Sequence, residues 1–178
     1  EMDNIKIIES EIKDLKVENI HNIDLVIHLA SVGVSPQKAS IQEFVNTNIK
    51  DTISFFLECE KAGVKRFYAI GSCHEYGLSS NDYNFIPADA PLRPISLYAS
   101  SKVATFLMLF NYAKNSNMEF SYSRLFNVYG YGQNPKNFWS QLNSASKSGK
   151  NFEMSKGDQI LDFMRVEDVA ADIVSKAK

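Results

Sequence analysis

The sequence predicts an α/β fold: a doubly wound parallel sheet with helices between its strands. Two observations carry this. Short apolar runs recur along the chain, and long stretches of helical periodicity separate them. Strands that alternate with helices pair in parallel through crossover connections. At 178 residues, 44% hydrophobic and 22% charged, the chain can build one domain with a real core but not two large ones. It contains no internal repeat and no low-complexity tract.

The first run, residues 24–30 (DLVIHLA), ends in small residues and fits a buried parallel strand. Residues 36–62 follow with helical spacing, marked by Ile41, Phe44, Val45, Asn48, Ile49, Thr52, Ile53, Phe56 and Leu57, and Gly63 supplies the stop. Residues 66–71 (RFYAIG) make a second strand. Residues 79–94 are polar, carry three prolines and read as a surface loop. Ser96 caps a helix to about residue 114, with Val103, Phe106, Leu107, Phe110 and Ala113 as its apolar face. Residues 120–126 form a third strand. Residues 134–149 read as a helix that buries Trp139 and Leu142, and 159–166 as an extended segment. Glu167 opens a last helix still running near Lys178.

Net charge is −2, so nothing electrostatic favours nucleic acid or an anionic membrane. The longest apolar stretches, 25–30 and 106–110, are far short of a membrane span, and no secretory signal is visible. A cytoplasmic protein is expected, with no membrane and no nucleic-acid partner. Cys59 and Cys73 have no second pair, and His21, His28 and His74 lack metal-ligand spacing, so no metal site is expected.

Tyr98 and Lys102 stand four apart on a predicted helix and share one face. A tyrosine titrates near 10, so acid–base work at neutral pH needs a shift of roughly 3 units, about 4 kcal/mol. A neighbouring lysine cation supplies part of that. The spacing alone also describes an ordinary amphipathic surface pair. Ser72 adds weight: it follows the second strand at its carboxyl end, where open parallel sheets bind ligands.

With these residues in place, the chain resembles the extended short-chain dehydrogenase/reductase family, in its NAD-dependent epimerase/dehydratase branch of nucleotide-sugar enzymes. DLVIHLAS (24–31), Asn48 within NTNIKDT, GSCHEYG (71–77), YASSK (98–102), SRLFNVYGYGQ (123–133) and GDQILDFMRVEDVA (157–170) match family stretches in order. The resemblance implies a partial Rossmann-like fold: a dinucleotide-binding domain over 1–133 and part of a substrate-binding region over 134–178. It implies NAD or NADP as cofactor, held by Leu29, Ala30, Ser31, Asn48, Tyr98 and Lys102. Ser72, Tyr98 and Lys102 would be catalytic, with Tyr98 as acid/base, Ser72 polarising the oxygen and Lys102 lowering the Tyr98 pKa. Ser72, Cys73, His74 and Asn127 would meet a nucleotide-sugar substrate. A homodimer is expected, with Phe55, Phe56, Leu109 and Tyr112 either facing the partner or packing the core.

Three departures refine the expectation. Residues 1–22 hold no glycine, so the first Gly-rich βα unit is absent and the chain reads as a fragment of a longer enzyme. Family dehydratases place Asp-Glu after the hydroxyl residue; Cys73 and His74 stand here and disfavour dehydration. Reduction of a 4-keto-deoxyhexose is the first expectation and 4-epimerisation the alternative. A binding module without chemistry competes from outside enzymology. Leu161 replaces an arginine that commonly contacts the nucleotide, which leaves Arg165 or a residue beyond this chain to compensate. His74 is either an acid/base or a wall residue. Cys73 reads as a small buried residue, and Asp162 and Asp168 as structural.

Overall fold

In the computed structural model, residues 5–177 are described. Strands β1 (Leu25–His28), β2 (Arg66–Ser72) and β3 (Glu119–Leu125) form one parallel sheet in that order. Ser72 is thus the last residue of a central strand, paired with Leu125, while Gly71 pairs with Arg124. A second parallel pair joins β4 (Asn127–Tyr129) to β5 (Phe163–Arg165).

The apolar run of β2 has no polar alternation because both of its faces are covered. Phe67 and Ala69 join Phe56, Cys59 and Leu109 in one core cluster. Tyr68 and Ile70 point the other way and pack with Val169 and Ile173 of the terminal helix. This two-sided covering is what makes the sheet doubly wound. Among the described residues, no helix is long and apolar enough to cross a membrane.

A short helix α1 (Val17–Ile20) precedes β1. The helix expected over 36–62 starts later. It begins as α2 (Ile41–Glu43), widens into a π-helical stretch over Phe44–Asp51 and closes as α3 (Thr52–Lys61). Its start is set by Ser40 and Glu43, which cap each other: the Ser40 N–H donates to Glu43 Oε2 at 2.7 Å and the Glu43 N–H to Ser40 Oγ at 3.2 Å. Gly63 follows at φ +80°, the left-handed turn that ends the helix.

Helix α4 (Leu97–Ala113) is capped by Ser96, whose Oγ accepts from the Ala99 N–H at 3.2 Å. Its buried face is not the apolar one expected. Ala99, Ser101, Lys102, Thr105 and Leu109 are buried, while Leu107 and Phe110 are exposed. The polar members go inside because each has a partner there. Thr105 Oγ1 donates to the Asn48 carbonyl at 2.7 Å, and Lys102 Nζ to the Ile70 carbonyl at 2.6 Å. Phe55, Phe56 and Leu109 are core residues; Tyr112 is the exposed member of that set.

Residues 79–94 are more firmly tied than a free loop. The Ser79 side chain is fully buried, donates to the Pro91 carbonyl and accepts from Arg93 Nε at 2.9 Å. Helix α5 spans Phe138–Ser148, shorter than expected, and Trp139 is exposed rather than buried. α5 has no buried residues; Trp139 leans on Tyr129 with ring centroids 4.5 Å apart. Leu142 is half-buried. Of the extended segment expected at 159–166, only β5 is a strand. Helix α6 (Val166–Ala177) follows it directly; Lys178, where it was expected to be still running, lies outside the described residues.

Candidate active site

The carboxyl ends of β1 and β2, the start of α4 and the β4 segment enclose a cavity of about 840 Å³. This is the edge of a parallel sheet where loops diverge and leave room for a ligand. Ser72, Tyr98 and Lys102 all line it, brought together from β2 and α4.

Ser72 is held by the turn that follows it, a single 3₁₀ turn over Cys73–Glu75. The His74 N–H donates to Ser72 Oγ at 3.3 Å, and the Ser72 N–H donates to Glu75 Oε1 at 2.8 Å. A backbone donor thus occupies acceptor capacity on Ser72 Oγ, and the hydroxyl keeps its proton for another oxygen.

Tyr98 and Lys102 share a face of α4, one turn apart. The Tyr98 phenol is held above its ordinary pKa, first by burial and then by the Glu75 charge; hydrogen bonds with the Ser72 and Ser31 hydroxyls pull the other way. Burial pushes the Lys102 ammonium below its usual range, and Glu75 partly offsets this. The expected lowering of the Tyr98 pKa by Lys102 is not seen. Lys102 Nζ is engaged with the Ile70 carbonyl, and desolvation dominates the phenol.

Just after β1, Leu29 and Ser31 line the cavity, whereas Ala30 between them does not. Asn48 stands behind that wall rather than in it. Its Oδ1 accepts from the Val32 N–H at 2.9 Å and from Ser31 Oγ at 3.1 Å; its Nδ2 donates to the Val32 carbonyl at 3.2 Å and to Ser101 Oγ at 3.0 Å. All four hydrogen-bonding positions are filled, so the side chain fixes the loop after β1 to α4.

Cys73, His74 and Asn127 also line the cavity. His74 is exposed, whereas burial raises the Cys73 thiol pKa, which leaves it protonated near neutrality. Asn127 Nδ2 donates to the Asp162 carbonyl at 3.0 Å, which ties β4 to β5. Leu161 is exposed. Arg165 sits among the surface carboxylates Glu167 and Asp168, at 3.6 and 4.0 Å. Neither lines the cavity.

The sequence reading missed the most buried charge near the site. Glu75 has no exposed surface; its carboxylate accepts from the Ser72 N–H, from the Tyr122 hydroxyl at 2.8 Å and from Arg124 Nε at 2.8 Å. The signal was present in the Ser72-x-x-Glu75 spacing of a capping box.

The parts of a nicotinamide-nucleotide site near its reactive end are compatible with this wall: a buried lysine one turn from a tyrosine, beside the small residues that end β1. Comparisons with known proteins point the same way. A profile of the NAD dependent epimerase/dehydratase family matches residues 3–175. An uncharacterised protein of Methanocaldococcus jannaschii is 29% identical over 98% of this chain and 54% of its own length. A UDP-glucuronate 4-epimerase of Thermodesulfobacterium geofontis is 26% identical over 89% of this chain and 49% of its own. The solved structure of MoeE5 in complex with UDP-glucuronic acid and NAD is 30% identical, with a TM-score of 0.82, over 94% of this chain and 56% of that one. The chain spans about half the length of the relatives it matches.

Proposed function

The chain belongs to the NAD dependent epimerase/dehydratase family, and from that premise we propose that the protein carrying it inverts C4 of a nucleotide-linked hexose, with NAD as cofactor and Ser72, Tyr98 and Lys102 as its catalytic residues. The observation that carries the reading is the meeting of Ser72 and Tyr98 on one wall of a cavity, with Lys102 buried one turn away. NAD, when bound, supplies the hydride acceptor that makes C4 a carbonyl and then the hydride that restores it, and its oxidised ring adds positive charge that favours the Tyr98 phenolate. Lys102, with Leu29 and Ser31 lining the same cavity, would hold its ribose and nicotinamide end. Tyr98 takes the C4 hydroxyl proton and later returns it. Ser72, its own acceptor side occupied by the His74 N–H, donates to the same oxygen. Inversion also needs room for the ketosugar to present its other face, and the cavity of about 840 Å³ is compatible with that.

Reduction of a 4-keto sugar, the first expectation from the sequence, uses the same three residues. The named 4-epimerase among the relatives supports epimerisation ahead of it. Dehydration fits less well, because Cys73 and His74 stand where family dehydratases carry an Asp-Glu pair. The complex of MoeE5 supports a nucleoside diphosphate sugar as substrate and NAD over NADP. The test is incubation of the protein with UDP-glucuronate and NAD, read by product chromatography. The expected result is a C4-inverted product with no net NADH. In a parallel incubation with NADH and a nucleotide-linked 4-keto-deoxyhexose, consumption of NADH in step with product, with no C4-inverted product in the first, would overturn epimerisation in favour of reduction.

A further inference from the structure

We propose that Glu75 is the positioning residue of this site: its buried carboxylate, pinned by Tyr122 and Arg124, holds the Ser72 backbone and sets a fixed negative charge behind Tyr98 and Lys102. The inference rests on the proposed roles of Ser72 and Tyr98.

The carboxylate is unusual in its burial. It is fully enclosed, and its three donors come from three places: the Ser72 N–H, the Tyr122 hydroxyl and Arg124 Nε. A buried charge is tolerated only when paired and hydrogen-bonded, and this one is both. The strand register explains how. Tyr122 pairs with Ala69 and Arg124 with Gly71, so both side chains rise from β3 on the face over which Glu75 folds back. Arg124 is in turn boxed by aromatic rings, with its guanidinium carbon 4.4 Å from the Phe106 centroid and 5.2 Å from that of Tyr76. Gly71 leaves the space. A Cβ there would lie 2.3 Å from Glu75 Oε1 and 2.4 Å from the Tyr122 ring.

Two consequences follow for chemistry. The Ser72 N–H is clamped from one side while its Oγ accepts from the His74 N–H, so the serine has one orientation relative to Tyr98. The negative charge also disfavours the Tyr98 phenolate and favours the Lys102 ammonium. The ionisable groups around the pair are Glu75 and Cys73 near Tyr98, His28 and Glu75 near Lys102, and Tyr122 and Arg124 on β3 beside Glu75. Burial and Glu75 raise the Tyr122 pKa, so Tyr122 stays a neutral donor. Glu75 thus adds to burial in disfavouring the Tyr98 phenolate.

The test is Glu75→Gln in the whole protein, with Glu75→Gln/Arg124→Gln beside it in case the single variant leaves a buried cation and fails to fold. Tyr98 ionisation is read without turnover, as phenolate absorbance in each background minus its Tyr98→Phe partner. Turnover is read as kcat, KM and the pH profile. In Glu75→Gln the Tyr98 titration and the acidic limb of the profile move to lower pH. kcat falls by roughly a hundredfold from the loosened serine, with KM little changed. The double variant keeps the loss of kcat and moves the titration less, because the opposing cation is gone too. An unmoved titration with unchanged kcat in whichever variant folds overturns the proposal. A moved titration in a protein that turns over no nucleotide sugar would sink the proposed function and leave the electrostatic role of Glu75 standing.

Discussion

Acidification should destabilise this domain through one histidine, His28. It ends β1 beneath the site, buried, with its ring against Phe55 and Phe67 and Nε2 at 3.2 Å from Thr52 Oγ1. Burial, with the Lys102 charge second, pushes its pKa from 6.5 to about 4. Between those values the unfolded chain takes up a proton that the folded protein refuses. The stabilisation is therefore complete above pH 6.5 and is lost as pH falls towards about 4. The difference corresponds to about 3 kcal/mol, a large part of the stability of a typical domain. Urea unfolding across this pH range, for the wild type and for His28→Leu, isolates the histidine: the variant should lose that part of the acid slope even if its stability at neutral pH is lower. The ring can also be followed directly by NMR. A His28 titrating near 6.5 in the folded protein, or equal acid slopes in the two proteins, would refute the reasoning.

Two further outcomes are expected. Phe56→Ala, at a fully buried ring that packs edge-on to Phe67 with centroids 5.0 Å apart, should cost about 3–5 kcal/mol in denaturant unfolding. Gly71→Ala places its methyl against Glu75 and Tyr122 and should cost about 1–3 kcal/mol, with a loss of turnover; calorimetry and an activity assay read the two effects.

Much of this arrangement could be read from the chain. RFYAIG announced a strand with Ser72 at its carboxyl end, and Ser96 a helix start that carries Tyr98 and Lys102. The misreadings have physical causes. A 3.6-residue period does not reveal a π-helical stretch, so the way Asn48 is turned to bind Val32 and Ser101 could not be anticipated. The buried face of α4 was misjudged because hydrophobicity ranks Leu107 and Phe110 above Ser101 and Thr105. The polar pair goes inside once Asn48 and Tyr98 offer partners. Trp139 was assigned to a core because it is large and apolar, yet α5 buries no residue, and Phe138 and Trp139 at its start line the cavity. Glu75 escaped notice because its partners Tyr122 and Arg124 lie 47 and 49 residues away, and only the parallel register of β2 and β3 brings them together.

A redox-neutral inversion run by Tyr98 and Ser72 is proposed for the protein that carries this chain. Its most direct test is the conversion of nucleotide sugar carrying deuterium at C4, by the wild-type protein and by Tyr98→Phe. The expected result is product that retains deuterium at C4 with no net NADH, and a rate reduced by about 10²–10⁴ in Tyr98→Phe with NAD binding preserved. Loss of the label to solvent, or undiminished turnover in Tyr98→Phe, would contradict it.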